Sequence, residues 1–405
     1  KLSFVLVVGA FVLDYIWENR RKRVGTYIGQ SIALGLVFIG IYIGLLYLIQ
    51  AVYPAFSISF MMTHAHQFTS SGGRGWTQII VQGVKALYYL SPLVIAPIFL
   101  VSRETLRKMR PCLLYLALGF LFYFVLFDFS QGALDKYLMF ATVPLIAIAA
   151  VAIVEAIEKA RTTLTAAGMR LSFGKILAAL VPGIAIAALI FWTNFMHPLV
   201  VALYPKSEWF GRVAHGHWNI LTPITGGSGP MGFYVSFLFI ALSFMAAIGA
   251  AIIGRLAMNG RFGEARRVWL IPMLGIVCIV GLGYNAVFAE EYMFGDINGS
   301  SAKVLEADIE FVRQSPLVKQ VMTYNDIGAG PLTKLNAYAG RIYATPDAED
   351  LYRAKFAAFD GHYLVVDVPR FYADGFYAKF FGTCTILYQS VSKRISGTVY
   401  RCPKP

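Results

Sequence analysis

The stretch QGALDKYLMFATVPLIAIAA, residues 131–150, decides the class of the fold. It sets Asp135 and Lys136 side by side at the lip of an apolar run that continues without charge to Val154. A hydrocarbon core of about 30 Å is crossed by roughly twenty apolar residues in a helix, and this run has that length. A charge at the edge of such a span reaches water by snorkelling. The pair is therefore either an interfacial anchor or a cationic contact for an anion held at the membrane surface.

Composition points the same way. With 58% hydrophobic, 15% aromatic and only 14% charged residues, and a mean hydropathy of +0.62, the chain is too apolar to cover itself with a polar surface. The formal net charge of +13 raises nucleic acid as a partner. The basic residues fall in short clusters between apolar runs, however, and form no extended face for phosphate contacts. Nucleic acid is set aside, and membrane lipids are the expected surroundings.

Apolar runs predict spans near Val24–Gln50, Lys85–Val101, Pro111–Phe127, Tyr137–Val154, Ile176–Phe195, Met231–Gly254 and Val268–Phe288. Leu2–Trp17 is shorter; no small-residue cleavage site follows it, and it reads as an eighth span cut into by the start of the sequence. The connecting segments sort by charge. Arg20, Arg21, Lys22 and Arg23 form one cluster, and Arg103, Arg107, Lys108 and Arg110 the next. Lys159, Arg161, Arg170 and Lys175, then Arg255, Arg261, Arg266 and Arg267, complete a set of sixteen. The alternate segments carry only Arg74, Lys136, Lys206 and Arg212. This alternation predicts that residues 51–84, 128–136, 196–230 and everything after about 289 face outward from a plasma or cytoplasmic membrane.

The expected fold is thus a polytopic α-helical membrane protein of about eight spans over residues 1–290, followed by a small α/β domain over 291–405 on the outer face. In the tail, SAKVLEADIEFVRQSP spaces Val304, Leu305, Ile309 and Val312 on one helical face. LVKQVMTY, GRIYATP and HYLVVDVP read as strands, with helices near 347–358 and 370–380, which predicts a largely parallel sheet. Cys112 and Cys278 fall in spans as apolar side chains. Cys384 and Cys402 close CTILYQSVSKRISGTVYRC, two strands around a turn near Lys393. A symmetric hairpin would place them opposite each other, within reach of a disulfide in an oxidising compartment, and a bulge would shift that register.

The order KALYYLSPLVIAPIFL, a basic inner loop, LLYLALGFLFYFVLFDFSQGALDKYLMFATVPLIAIAAVAIV and a second basic loop resembles the middle of the GT-C glycosyltransferases. The protein O-mannosyltransferases and lipid A aminoarabinose transferases are the most similar branch. VMTYNDIGAGPL, HYLVVDVP and GTVYRC are similar to the outer domains of some members. The resemblance implies transfer of a sugar from a polyprenyl-phosphate carrier, on the extracytoplasmic side, to a protein or glycolipid acceptor. DKYLMFATVP stands where that family carries a P-R-Y-L-L-P type motif, so the resemblance makes Lys136 the carrier-phosphate contact with Tyr137 at its side. Lysine in place of arginine supplies a point charge rather than a fork. Asp135 stands where proline is common; it is a weak candidate for direct chemistry and otherwise the structural partner of its neighbour. The family's catalytic carboxylate belongs to a first outer loop, which this reading places upstream of the chain's first span.

Two more stretches bear on a site. Lys85 precedes Tyr88 and Tyr89, an aromatic-belt pattern, and is either a snorkelling lysine or a second carrier-phosphate contact. MMTHAHQFTSSGGRGWTQ supplies His64, His66 and Arg74, either as a loop over the site or as a plain connection. Two histidines need a third ligand to hold a metal, so a divalent ion has no support from this spacing, and His215 and His217 stand no better. Gly328 and Gly330 are a weak nucleotide signal before Pro331, and Asn298 opens a formal glycosylation sequon. No cofactor is expected beyond the lipid-linked sugar donor. The alternatives are a transporter or flippase, which should carry ionisable residues at mid-depth in its spans, and a membrane-anchored binding module.

Overall fold

The computed structural model describes residues 3–20, 24–53, 56–59, 76–126, 138–166, 173–195, 211–224, 233–259, 269–318, 321–324, 338–342, 361–367, 376–393 and 395–403. These residues form helices α1 (Ser3–Glu18), α2 (Val24–Val52), α3 (Trp76–Tyr89), α4 (Arg103–Lys108) and α5 (Arg110–Phe120). α6 (Thr142–Ala166), α7 (Phe173–Phe195), α8 (Phe237–Met258), α9 (Leu270–Met293), α10 (Ser301–Gln314) and α11 (Phe376–Gly382) follow. The strands are β1 (Leu221–Ile224), β2 (Phe233–Ser236), β3 (Val321–Tyr324), β4 (Tyr338–Ile342), β5 (His362–Asp367), β6 (Thr385–Ser392) and β7 (Ile395–Arg401).

Four helical stretches among the described residues are long and apolar enough to cross a membrane: Gly25–Val52, Leu138–Thr162, Phe237–Met258 and Leu270–Met293. The chain is a helical membrane protein. Arg110–Val125 and Leu180–Thr193 are shorter apolar helices. The stretch expected to span at Lys85–Val101 is not one helix. α3 ends at Tyr89, Ser91 takes φ +65°, Pro92–Ile95 makes a single turn, and Ala96–Leu100 is a 3₁₀ turn. Pro92 and Pro97 lack the amide an α-helix needs, and hydropathy does not register that loss.

The chain packs as two compact units, residues 1–90 with 94–167, and residues 91–93 with 168–405. In the first, α1 and α5 run antiparallel: Gly9 lies against Leu118, and Arg110 donates to Asp14, with Glu18 3.8 Å away. Ser102 caps α4 by accepting from the Thr105 amide at 3.0 Å, and the Thr105 hydroxyl donates to Glu155 of α6. Arg20 sits 4.5 Å over the Trp17 ring at the end of α1.

In the second unit, α9 packs against both α7 and α8. Small residues allow close approach, as membrane helices require: a Cβ on Gly183 of α7 would lie 3.0 Å from the Gly275 carbonyl oxygen of α9. Tyr284 of α9, fully buried, stacks on Phe239 and Phe288 at 5.6 and 4.4 Å. β1 and β2 pair antiparallel just before α8; β1 lies in the segment read as loop, while β2 takes the first residues of the span predicted at Met231–Gly254, so the helix begins only at Phe237. The predicted domain boundary at residue 290 falls in this unit, at the end of α9.

The tail sheet has the order β4-β3-β5-β7-β6. β4, β3 and β5 are parallel as expected, but β5–β7 and β7–β6 are antiparallel, so the sheet is mixed. Alternation along β7 gives it two covered faces. Gly397 faces Asp308 of α10, while Tyr400 stacks on Phe381 of α11 at 5.1 Å. The predicted apolar face of α10, Val304, Leu305, Ile309 and Val312, is buried. The helix expected near 347–358 lies outside the described residues.

Cys384 and Cys402 are joined as a disulfide. At the turn, Ser392 pairs with Ile395, a register that would carry Cys384 opposite Pro403. A bulge between Ile386 and Tyr388 shifts the pairing by one residue, so that Thr385 faces Arg401 and the cysteines meet. The irregularity expected to prevent the bridge is what aligns it.

Asp308 is fully buried against β6 and β7. Ser390 Oγ lies 2.7 Å from Asp308 Oδ1 and 3.1 Å from the Val304 carbonyl oxygen, yet a hydroxyl has one proton to give. A neutral Asp308 satisfies both contacts, its carboxyl donating to Ser390 and Ser390 donating to Val304. Burial pushes the Asp308 carboxyl up to about 7. A carboxyl raised on folding lets the folded state hold its proton longer, so stability falls as pH climbs from the ordinary carboxylate range towards about 7, by roughly 4 kcal/mol at most. Hydrogen exchange in α10, β6 and β7, corrected for intrinsic rate, should lose protection between about pH 4 and 7 and level off above that. Asp308→Asn should flatten that dependence; an unchanged profile in the variant assigns it to another group.

Candidate functional site

In the first unit, Leu6 of α1, Ile79 and Ala86 of α3, Tyr123 after α5, and Leu138 before α6 bury one another. Tyr115, Leu118, Phe122, Phe124 and Phe140 pack around them. Phe140, in the 3₁₀ turn Leu138–Ala141, is the hub. Tyr115 and Phe120 meet it edge-on, each at 5.7 Å, and Tyr123 stacks on it at 5.3 Å. Pairs of this kind add about 0.5–1.5 kcal/mol each beyond burial.

Two backbone features make room for these rings. A Cβ on Gly119 would collide with the Phe140 ring, so the missing side chain is the seat of that ring. After Phe120 the helix winds on as a π-helix over Leu121–Leu126, a rare geometry found frequently at functional sites. Gly83 of α3 faces Phe124 at 3.5 Å from where a Cβ would be, an ordinary contact that a methyl group would also make.

α3 carries three lines of residues along its length. Trp76, Ile80, Val84 and Leu87 are exposed, though apolar. Ile79, Ala86 and Leu90 are buried. Helical spacing sets Gln78, Gln82, Lys85 and Tyr89 along the remaining line.

Of the sequence-predicted site residues, Lys85 falls on that line, in the turn that buries Ala86. Asp135, Lys136, Tyr137, His64, His66 and Arg74 lie outside the described residues. Phe124, in the π-helix before residues 127–137, and Leu138, directly after them, both belong to the aromatic cluster. Tyr88, expected as part of an exposed belt, is buried. Sequence reading missed Gly119, Phe140 and the π-helix; an apolar run such as LALGFLFYF offers one signal, a lone glycine among large rings.

The second unit holds other polar groups that sequence reading had singled out. Asn298 is fully buried; its Nδ2 donates to the Tyr234 carbonyl at 2.9 Å and to Glu291 Oε1 at 2.8 Å, and its backbone amide donates to the same Glu291 oxygen at 2.9 Å. The sequon asparagine is thus consumed by the fold and closed to glycosylation. His215 and His217 are exposed; His215 Nδ1 lies 2.6 Å from the Gly211 carbonyl oxygen. Among the described residues no group of three histidine, cysteine or acidic side chains is placed to hold a metal ion. No family model, no curated protein and no solved structure matches the chain.

Glycine-to-alanine changes inside helices ordinarily gain about 0.5–1 kcal/mol. Gly249 of α8 has open space where a Cβ would go, so Gly249→Ala should show that gain. Gly119→Ala should instead lower thermal stability in detergent by about 1–3 kcal/mol through overpacking. A double-mutant cycle with Phe140→Ala should return most of the loss. Independent, additive effects at 119 and 140 would remove Phe140 as the reason for the glycine.

Proposed function

We propose that this chain belongs to a membrane glycosyltransferase of the GT-C type, moving a sugar from a polyprenyl-phosphate carrier to an acceptor on the extracytoplasmic side. One observation carries the reading beyond resemblance. Ala86 directly follows Lys85 and Leu138 follows Lys136 by two residues, and Ala86 and Leu138 are buried in one cluster. The two lysines that the resemblance picks out, about fifty residues apart, are thus each within two residues in the sequence of a member of one buried cluster.

A carrier phosphate is a dianionic or monoanionic group at the headgroup level, and lysines at the edge of an apolar cluster meet it in a partly desolvated setting, where attraction exceeds that in water. The carrier's polyprenyl chain is apolar, and the exposed line Trp76, Ile80, Val84 and Leu87 on α3 lets that helix sit in lipid while its polar line serves the headgroup. In this reading the spans present the site outward, and residues 291–405 form the outer domain that shapes acceptor access. The Cys384–Cys402 disulfide supports an oxidising compartment for that domain. Asp135 is in this reading either a weak candidate for direct chemistry or the partner of Lys136.

The test is release of polyprenyl phosphate from sugar-loaded carrier by the full-length gene product in detergent. A charge-assisted hydrogen bond is worth about 1.5–3 kcal/mol, so Lys136→Ala should slow release roughly 10–100-fold, and Lys136→Arg should keep most of it. Lys85→Ala should act in the same direction. Carrier binding without release, across a panel of sugars and acceptors, would replace the enzyme with a transporter or binding module. Full release by Lys136→Ala would remove that residue from the phosphate.

A further inference from the structure

The β6–β7 hairpin turn is held against the end of α9. Asn298 folds back to Glu291, in the last turn of α9, so residues 298–300 lie level with the end of a candidate span. The Ser300 amide donates to Ser392 Oγ at 3.0 Å. Gly299, at φ +117°, presses so closely on the turn that a Cβ there would collide with the Ser392 carbonyl oxygen and lie 3.1 Å from Ile395. The turn is therefore fixed at the depth of the span's end, which is where lipid headgroups lie.

The surfaces around it suit that depth. Tyr292, Met293 and Phe294, at the end of α9, are 75%, 66% and 51% exposed, and Val391 beside the turn is 68% exposed. Aromatic and apolar side chains in this position form an interfacial belt. Lys393, exposed at the tip, adds a cation. The Asp296 carboxylate, after the end of α9, is paired with Lys303 at 3.3 Å. Lys393 also sits at φ +55°, a conformation that costs a residue with a Cβ roughly 1–2 kcal/mol and that asparagine or glycine would occupy with less strain.

We propose that this hairpin turn is a membrane-contact element, with Val391 entering the interfacial region beside Tyr292, Met293 and Phe294, and Lys393 binding the phosphates of anionic lipid headgroups. The assignment needs α9 to span the bilayer and is independent of the transfer chemistry. It makes the outer end of the tail sheet a second point of attachment, fixing the sheet's tilt over the membrane rather than leaving it to hang from one connection.

Nitroxide labels at positions 391 and 385, in a Cys112→Ala, Cys278→Ala background that keeps the native disulfide, report depth through collision with oxygen or a water-soluble nickel chelate. Thr385 is exposed at the far end of β6, about 20 Å along the strand, and serves as the aqueous control. In phosphatidylcholine nanodiscs containing phosphatidylglycerol, the 391 label should favour oxygen and the 385 label the nickel chelate. Lys393→Glu should shift the 391 label towards the aqueous value in those nanodiscs and far less in pure phosphatidylcholine. Lys393→Asn, which relieves the backbone while removing the charge, should show the same loss without risk to folding. A 391 label as aqueous as the 385 label in both bilayers overturns the contact. A 391 label that stays immersed in anionic bilayers in both variants overturns the role of the lysine.

Discussion

In hydrocarbon every backbone amide and carbonyl must find its partner inside the protein, and this constraint governs where the chain is regular and where it is not. α2, α8 and α9 obey it in the simplest way, as uninterrupted helices. Interruptions come with substitutes. After α3, the Leu90 amide bonds Leu87, the Leu93 amide bonds the Ser91 hydroxyl, and the Val101 amide bonds Ile98. Ser102 then begins α4 with its side chain in place of a missing carbonyl. The π-helix after α5 is another such adjustment, keeping bonds while turning the following rings towards Phe140.

The same accounting explains which features were legible in the sequence. Hydropathy found the long helices because apolar content over twenty residues is what a bilayer selects. It merged Lys85–Val101 into one span because proline counts as an ordinary neutral residue on such a scale, although Pro92 and Pro97 remove two donors. The face of α10 was legible through Val304, Leu305, Ile309 and Val312, but Asp308 on that face was not, since an acid on a helix reads as solvent-facing. Its burial depends on Ser390 and Gly397, about eighty and ninety residues away, and no local pattern signals them. The hairpin was legible as two strands and a turn; the bulge that aligns its cysteines was not, because it is set by pairing rather than by composition.

The candidate site divides in the same manner. Charges at the lip of a span stand out against apolar sequence, so Lys85 and Lys136 were visible at once. The packing of the aromatic cluster was hidden. Phe140, Gly119 and Tyr123 are separated by no more than twenty-odd residues, yet each reads alone as one more apolar residue of a span. Their arrangement follows from a glycine that lets a ring lie on the helix backbone, a fact of geometry rather than of residue type. The sequon at Asn298 shows the converse error, a visible motif whose asparagine is spent on holding α9, β2 and the start of α10 together.

Asn298 with Glu291 and the Tyr234 carbonyl, like Asp308 with Ser390, forms a short circuit of hydrogen bonds inside the protein, although Asn298 Oδ1, Glu291 Oε2 and Asp308 Oδ2 have no partner among the described residues. Such circuits specify a fold, since an unpaired partner in a buried site costs more than the bond returns. Along α3 the positions of Gln78, Gln82, Lys85 and Tyr89 fall apart from the buried Ile79 and Ala86 and from the exposed Trp76, Ile80, Val84 and Leu87. A helix needs one apolar face to pack, and a third line of polar residues is not called for by that demand.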